Sequence, residues 1–400
     1  MRYFLFIMYF AFLCNICPAQ EDPYKMDWSN TEPLEMENTK PQQQLQDNDD
    51  DKGFDRSADV DEDYPRNARG LINTGFVFFP FYSNADNQSA LGLDLMYYFR
   101  RHTEPPLSAP CYIRTFFSAG RDQYATFGAS FNNYWNSEQN NLFTSFSYGR
   151  RLAGFFEPFR YSPPLLGVYR ASDIELDLMF RTRITDYSYI GAKYEFIYNI
   201  MESKVPSSAF SRGDIIGLNG GPVSGIGIIW NNEPVEDIFS PKTDFVFDIT
   251  NMFYLSWFGS NFDFGKHVFD LKEYYRIYGL HTLVFQYYAM LHSGDVPYRQ
   301  LASVGDIFNA YSRDKYTGRH MMVIKGEYRM PLFPRTFLTA FIGLAYITDK
   351  FSKFRLNDNL PSYGAGVRFL LYTELNINAR LDVVSGRDGT GVWLGVGEGF

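Results

Sequence analysis

Cysteine is nearly missing from this chain: three occur in 400 residues. Two, Cys14 and Cys17, lie in the opening apolar segment, so the remainder holds only Cys111 and can form no internal disulfide. A small disulfide-stapled secreted fold is excluded. Long apolar runs are missing too. A membrane-spanning helix needs about 20 apolar residues, and the run from Tyr3 to Leu13 falls short of that. The five histidines, at 102, 267, 281, 292 and 320, show no metal-ligand spacing. Neither a Gly-x-Ser-x-Gly elbow nor a His-Glu-x-x-His pair occurs. The chain is therefore expected not to be an enzyme, with no catalytic residues, metal or cofactor, and no nucleic-acid partner is expected.

What is abundant is aromatic. Tyr numbers 30 and Phe 39, and aromatics make up 18% of the chain. Amphipathic rings suit a membrane interface. Residues 1–20 read as a secretory signal: Arg2, an apolar stretch, then Cys17-Pro-Ala-Gln20 with small residues for cleavage. The formal charge of -9 belongs to the next segment. Glu21 to Pro65 holds 15 acidic and 4 basic residues, a net of -11, which leaves residues 66–400 near neutrality. Residues 21–68 are read as an acidic, disordered periplasmic tail, because so polar a segment cannot bury enough apolar surface to fold.

From residue 69 to 400 the pattern changes. Ile174, Leu176, Leu178 and Phe180 alternate with Asp173, Glu175, Asp177 and Arg181. Leu375, Ile377, Ala379, Leu381 and Val383 alternate with Asn376, Asn378, Arg380 and Asp382. This is the period of a strand with one apolar and one polar face. In an exported, Tyr- and Phe-rich chain without membrane helices, the apolar face goes to lipid and the polar face to a lumen. The expected fold is all-β: a transmembrane antiparallel β-barrel of about sixteen strands. Long connections are placed at about 152–171, 202–221 and 294–319 and assigned to the extracellular side. Tight joints fall at Thr373-Glu374 and at Gly386-Arg-Asp-Gly389.

A barrel of this size encloses more space than its wall side chains fill. The inward set carries both signs: Asp94, Asp173, Glu175, Asp177, Lys193, Glu195, Lys325, Glu327, Arg329, Arg368, Arg380 and Asp382.

Several pieces then appear in a telling order. Gly225-Ile-Gly-Ile-Ile-Trp-Asn-Asn232 is followed by Phe239-Ser-Pro-Lys-Thr-Asp244. Leu301-Ala-Ser-Val-Gly305 leads into the long loop, and Arg313-Asp-Lys315 precedes Gly326-Glu-Tyr-Arg-Met-Pro331. Tyr363-Gly-Ala-Gly-Val-Arg368 comes before the last hairpin, and Phe400 ends the chain as an assembly signal would. Together these resemble the barrel of the BamA/TamA family of outer-membrane proteins, also called the bacterial surface antigen family.

The resemblance implies sixteen strands and a long sixth loop folded back into the lumen. It also implies an Arg-Gly-aromatic loop tip whose arginine meets an acid on a nearby strand. Here the tip reads Phe308-Asn309-Ala310-Tyr311, so Asn309 stands where the arginine would be. Gly343 stands where the acid would be. Losing both halves of a charged contact is more tolerable than losing one. Arg313 and Arg319 are the candidate substitutes. Lys325, Glu327, Arg329, Gly343 and Arg368 are the candidate lumen lining beside them. Family members that insert or export proteins carry periplasmic domains ahead of the barrel. The 45 residues between signal and barrel leave no room for one, so the chain is similar to barrel-only members.

The function implied is a part in protein assembly or translocation at the outer membrane. Outer-membrane lipids and the barrel-assembly machinery are the expected partners, and the client is unknown. A passive pore is the alternative, and an outer-membrane hydrolase a third class.

Overall fold

The computed structural model describes residues 74–400, apart from 86–87, 101–109, 122–123, 204–214, 233–244, 373–376 and 397–400. These residues belong to one unit, Val60–Phe400, distinct from Met1–Asp59. The signal, the acidic tail, the Thr373-Glu374 joint, Phe239–Asp244 and Phe400 lie outside the described residues.

The first eight strands are β1 (Thr74–Ala85), β2 (Gln88–Phe99), β3 (Cys111–Gly120), β4 (Ala125–Trp135), β5 (Asn140–Phe156), β6 (Leu165–Arg183), β7 (Ser188–Ser203) and β8 (Gly221–Asn232). Then come β9 (Phe245–Tyr254), β10 (Phe264–Tyr278) and β11 (His281–Gly294). Two short strands, β12 (Ala302–Ser303) and β13 (Thr317–Gly318), pair with each other inside the next connection. The last five are β14 (His320–Phe333), β15 (Thr336–Thr348), β16 (Leu360–Tyr372), β17 (Ile377–Gly386) and β18 (Gly389–Val396). Apart from β12 and β13, these strands form one closed antiparallel barrel of sixteen, each paired with its sequence neighbour and β1 with β18. Among the described residues, no helix is long and apolar enough to cross a membrane.

The alternation seen in the sequence is realised as two faces. Leu178 and Phe180 point outward, 40% and 47% exposed. Phe117, Ile228, Ile324, Ile342 and Val383 extend the same apolar exterior around the barrel. Aromatics collect at both rims: Tyr187, Tyr278 and Phe333 at one, Trp257 and Phe351 at the other. An apolar band between two aromatic girdles is the exterior that a bilayer requires. On the inner face, the register sets Asp177 against Glu195, Gln286 against Lys325, and Gly366 against Asp382.

Connections at 157–164, 204–220, 255–263, 295–319 and 349–359 emerge at one end, with the tight β17–β18 turn. The opposite end carries two- and four-residue turns such as 279–280, 334–335 and 136–139. One expectation needs correction. The segment 152–171 is mostly strand, because β5 runs to Phe156 and β6 starts at Leu165.

Candidate functional site

A barrel this wide has its core inside the lumen, and a loop supplies that core. Residues 295–319 leave β11, pinch together at the β12–β13 pair and fold against two inner walls. Val296, Tyr298 and Leu301 pack with Phe155, Tyr169, Val223, Met252, Tyr254 and Phe264 of β5, β6 and β8–β10. Val304, Phe308, Tyr311 and Tyr316 pack with Met321, Val323, Ala345, Ile347 and Leu360 of β14–β16. The loop can turn this tightly because position 305 is glycine: a Cβ there would sit 2.5 Å from the Arg313 backbone nitrogen.

Ion pairs fix the first contact. Arg299 of the loop pairs with Asp173 of β6 and, at 2.8 Å, with Asp314 of the loop. Arg151 of β5 donates to both Asp314 oxygens, one at 2.9 Å. Burial pushes the Asp314 carboxyl up, but the Arg151 and Arg299 guanidiniums outweigh it and hold it below the usual carboxylate range. These four side chains are at most 15% exposed, so the pairs are partly desolvated, and removing one partner would leave a buried charge uncompensated.

Hydrogen bonds fix the second contact. The Tyr311 hydroxyl donates to the Pro361 carbonyl at 2.5 Å and accepts from the Arg387 amide at 3.1 Å. Lys315 and the Tyr316 hydroxyl both reach Asp388, at 2.7 and 2.8 Å. Arg387 in turn donates to the carbonyls of Tyr161 and Asn359, both at 2.9 Å. The β17–β18 turn is thereby tied to the loop and to two neighbouring connections.

The loop tip sits over a charged floor. Phe308 and Asn309 line one cavity with Lys325, Glu327, Gly343, Arg368, Arg380 and Asp382. Arg368 pairs with Asp382 at 2.5 Å and with Glu327 at 3.4 Å, and Arg329 pairs with Glu327 at 2.7 Å.

The structure thus brings Asn309 and Gly343 to the same place, yet fills it differently. The Phe308 ring occupies the space that a side chain at 343 would need: a Cβ there would meet Phe308 Cζ at 2.6 Å. Ala310 packs at the edge of the second apolar cluster. The candidate substitutes are engaged elsewhere. Arg313 pairs with Asp306 inside the loop at 3.4 Å, and Arg319 donates to the Gly294 carbonyl. The anchoring arginine is Arg299, which sequence reasoning missed. It lies in an unpatterned segment, 126 residues from Asp173, and nothing local marks the pair.

Comparison with known proteins adds the fold. No family model matches, and no curated protein matches. Among solved structures, the chain is similar to BamA from Haemophilus ducreyi lacking POTRA domains 1-3, with a TM-score of 0.54 and 9% identity over 81% of this chain and 70% of that one. It is similar also to CdiB from Acinetobacter baumannii, at 0.52 and 9% identity, over 82% of this chain and 60% of that one. A looser match, at 0.36 and 12% identity, is Pseudomonas aeruginosa OprD, over 85% of this chain and 98% of that one. The fold defines the class: this is a β-barrel of the outer-membrane type. Its lumen is occupied by one of its own loops.

Proposed function

We propose that this protein resides in the outer membrane and takes part in protein assembly or translocation there, as a surface-antigen-type barrel rather than an open pore. The observation that carries the reading is the seam. Strands β1 and β18 pair at two positions among the described residues, Tyr82 with Leu394 and Ser83 with Trp393. Pro80, two residues from that pairing on β1, has no amide hydrogen to donate and suits an edge strand. A strand edge that can part from its neighbour is a template for another strand. A client β-strand added there would gain main-chain hydrogen bonds inside lipid, where unpaired ones cost several kcal/mol.

The test is a lock. In a Cys111→Ser background, Tyr82→Cys with Leu394→Cys would bridge the seam under oxidation. Cells relying on the bridged protein should lose barrel proteins from the outer membrane and regain them on reduction. An unchanged outer-membrane protein profile with the bridge formed would sink the assembly role. The pore reading would then gain, since it needs no opening of the wall.

A further inference from the structure

The connection between β5 and β6, residues 157–164, does not stay at its own rim. The Tyr161 hydroxyl donates to the Ile347 carbonyl of β15 at 3.0 Å and accepts from the Ile347 amide at 2.9 Å. Strand β15 lies eight places from β5 on a barrel of sixteen, so the connection crosses the mouth to the opposite wall. It lands where that wall has main-chain groups to offer. The pairing of β15 with β16 ends at Ala345 and Leu360, and one hydroxyl serves both groups of Ile347 just beyond it.

The crossing also grips what lies beneath it. The Phe159 amide donates to the Thr317 carbonyl of the loop at 2.9 Å. The Tyr161 ring packs against the apolar cluster that holds Phe308 and Tyr311. Arg387 of the β17–β18 turn donates to the Tyr161 carbonyl at 2.9 Å. At the root, the Phe156 amide donates to the Tyr298 hydroxyl of the loop at 3.2 Å.

The segment is stiff, and its middle is strained. Pro158, Pro163 and Pro164 each fix their own φ. Phe159 has a φ of 65°, in the left-handed region that a bulky side chain rarely enters. Such a conformation persists only where its surroundings impose it, and the bonds of Phe159 and Tyr161 do so here. Residues 157–164 belong to no strand. Their far end is held by a few bonds rather than a ladder, so it can open locally while the barrel stays closed.

We propose that residues 157–164 are a lid over the seated loop, rooted in β5 and β6 and latched by Tyr161 to β15. The lid sets the order of opening: Tyr161 lets go first, and only then can the loop leave its seat. This inference is independent of what the barrel assembles or passes.

The experiment follows maleimide labelling of the refolded full chain carrying Cys14→Ser and Cys17→Ser. Ser303→Cys with Cys111→Ser places a reporter in the loop, at a buried position that pairs with Thr317, where the lid touches the loop. In a second chain the native Cys111 of β3, itself buried, reports on the wall. Tyr161→Phe keeps the ring and removes both bonds to Ile347. It should speed labelling of the loop reporter roughly tenfold and leave the labelling of Cys111 unchanged. Phe159→Pro can neither adopt the left-handed φ nor donate to Thr317, so it should do the same, and it decides should Tyr161→Phe not fold. An unchanged loop reporter in a folded variant overturns the lid. So does equal acceleration at both reporters, since that is a general loosening of the barrel.

Discussion

At the scale of single residues, the loop tip makes an apolar contact with β15 through Phe308 at the place where the resemblance implies a charged one. Gly343 and Asn309 both suit Phe308: the first leaves room for its ring, and the second brings no cation beside Lys325, Arg368 and Arg380. Restoring the charged pair should therefore fail. Gly343→Asp must displace Phe308 and should cost about 1–3 kcal/mol, as overpacking does. Asn309→Arg brings a further cation beside Lys325, Arg368 and Arg380 and should destabilise too. The double variant should recover nothing, so the coupling energy from urea unfolding in detergent should be zero or unfavourable. A favourable coupling of about 1 kcal/mol or more would mean that the Phe308 seat is dispensable.

At the scale of elements, the barrel was legible wherever its two faces differ. β6 and β7 in their middle, and β14 from Ile324 to Arg329, carry charge inward and apolar side chains outward, and period-2 reading found them. The alternation vanishes where the loop covers the wall. There Phe155, Tyr169, Val223 and Met252 face inward yet are fully buried, so both faces of the strand are apolar. That is why 152–171 read as a connection. The site was less legible than the fold, since Arg299, Asp314, Arg151 and Asp173 meet only once the barrel closes. The mid-strand pattern carries its own prediction. Leu178→Arg puts a charge into lipid and should cost about 2–4 kcal/mol near the bilayer midplane. Asp177→Asn faces the lumen and gives up a 3.1 Å pair with Lys193, both about one-quarter exposed. Such a pair is worth about 1 kcal/mol or less. Equal losses at the two positions, measured by unfolding in vesicles, would show that the inner and outer faces are misassigned.

At the scale of the whole molecule, the loop is held by two unlike fastenings, and pH should separate them. Toward β5 and β6 the fastening is ionic, centred on Asp314. Toward β14–β17 it is mainly apolar and hydrogen-bonded, through Phe308, Tyr311 and Tyr316, with one partly exposed ion pair, Lys315 with Asp388. The Asp314 carboxyl lies below its ordinary range, so it binds its proton less readily in the folded protein than in the unfolded chain. Its contribution is then complete above the unfolded value of about pH 4 and is lost as pH falls through the lower, folded value. Bilayer conductance reads this out. The refolded protein should show small conductance at about pH 7 and at about pH 5, with the loop seated on both walls. Larger, flickering openings should appear as pH drops below about 4, when the β5–β6 fastening goes and the apolar one remains. Arg299→Ala should bring those openings to neutral pH, because Asp173 and Asp314 then face each other without the cation between them. A large steady conductance at neutral pH in the unaltered protein would mean that the seated loop does not block the lumen, and the pore would become the better account of what this barrel does.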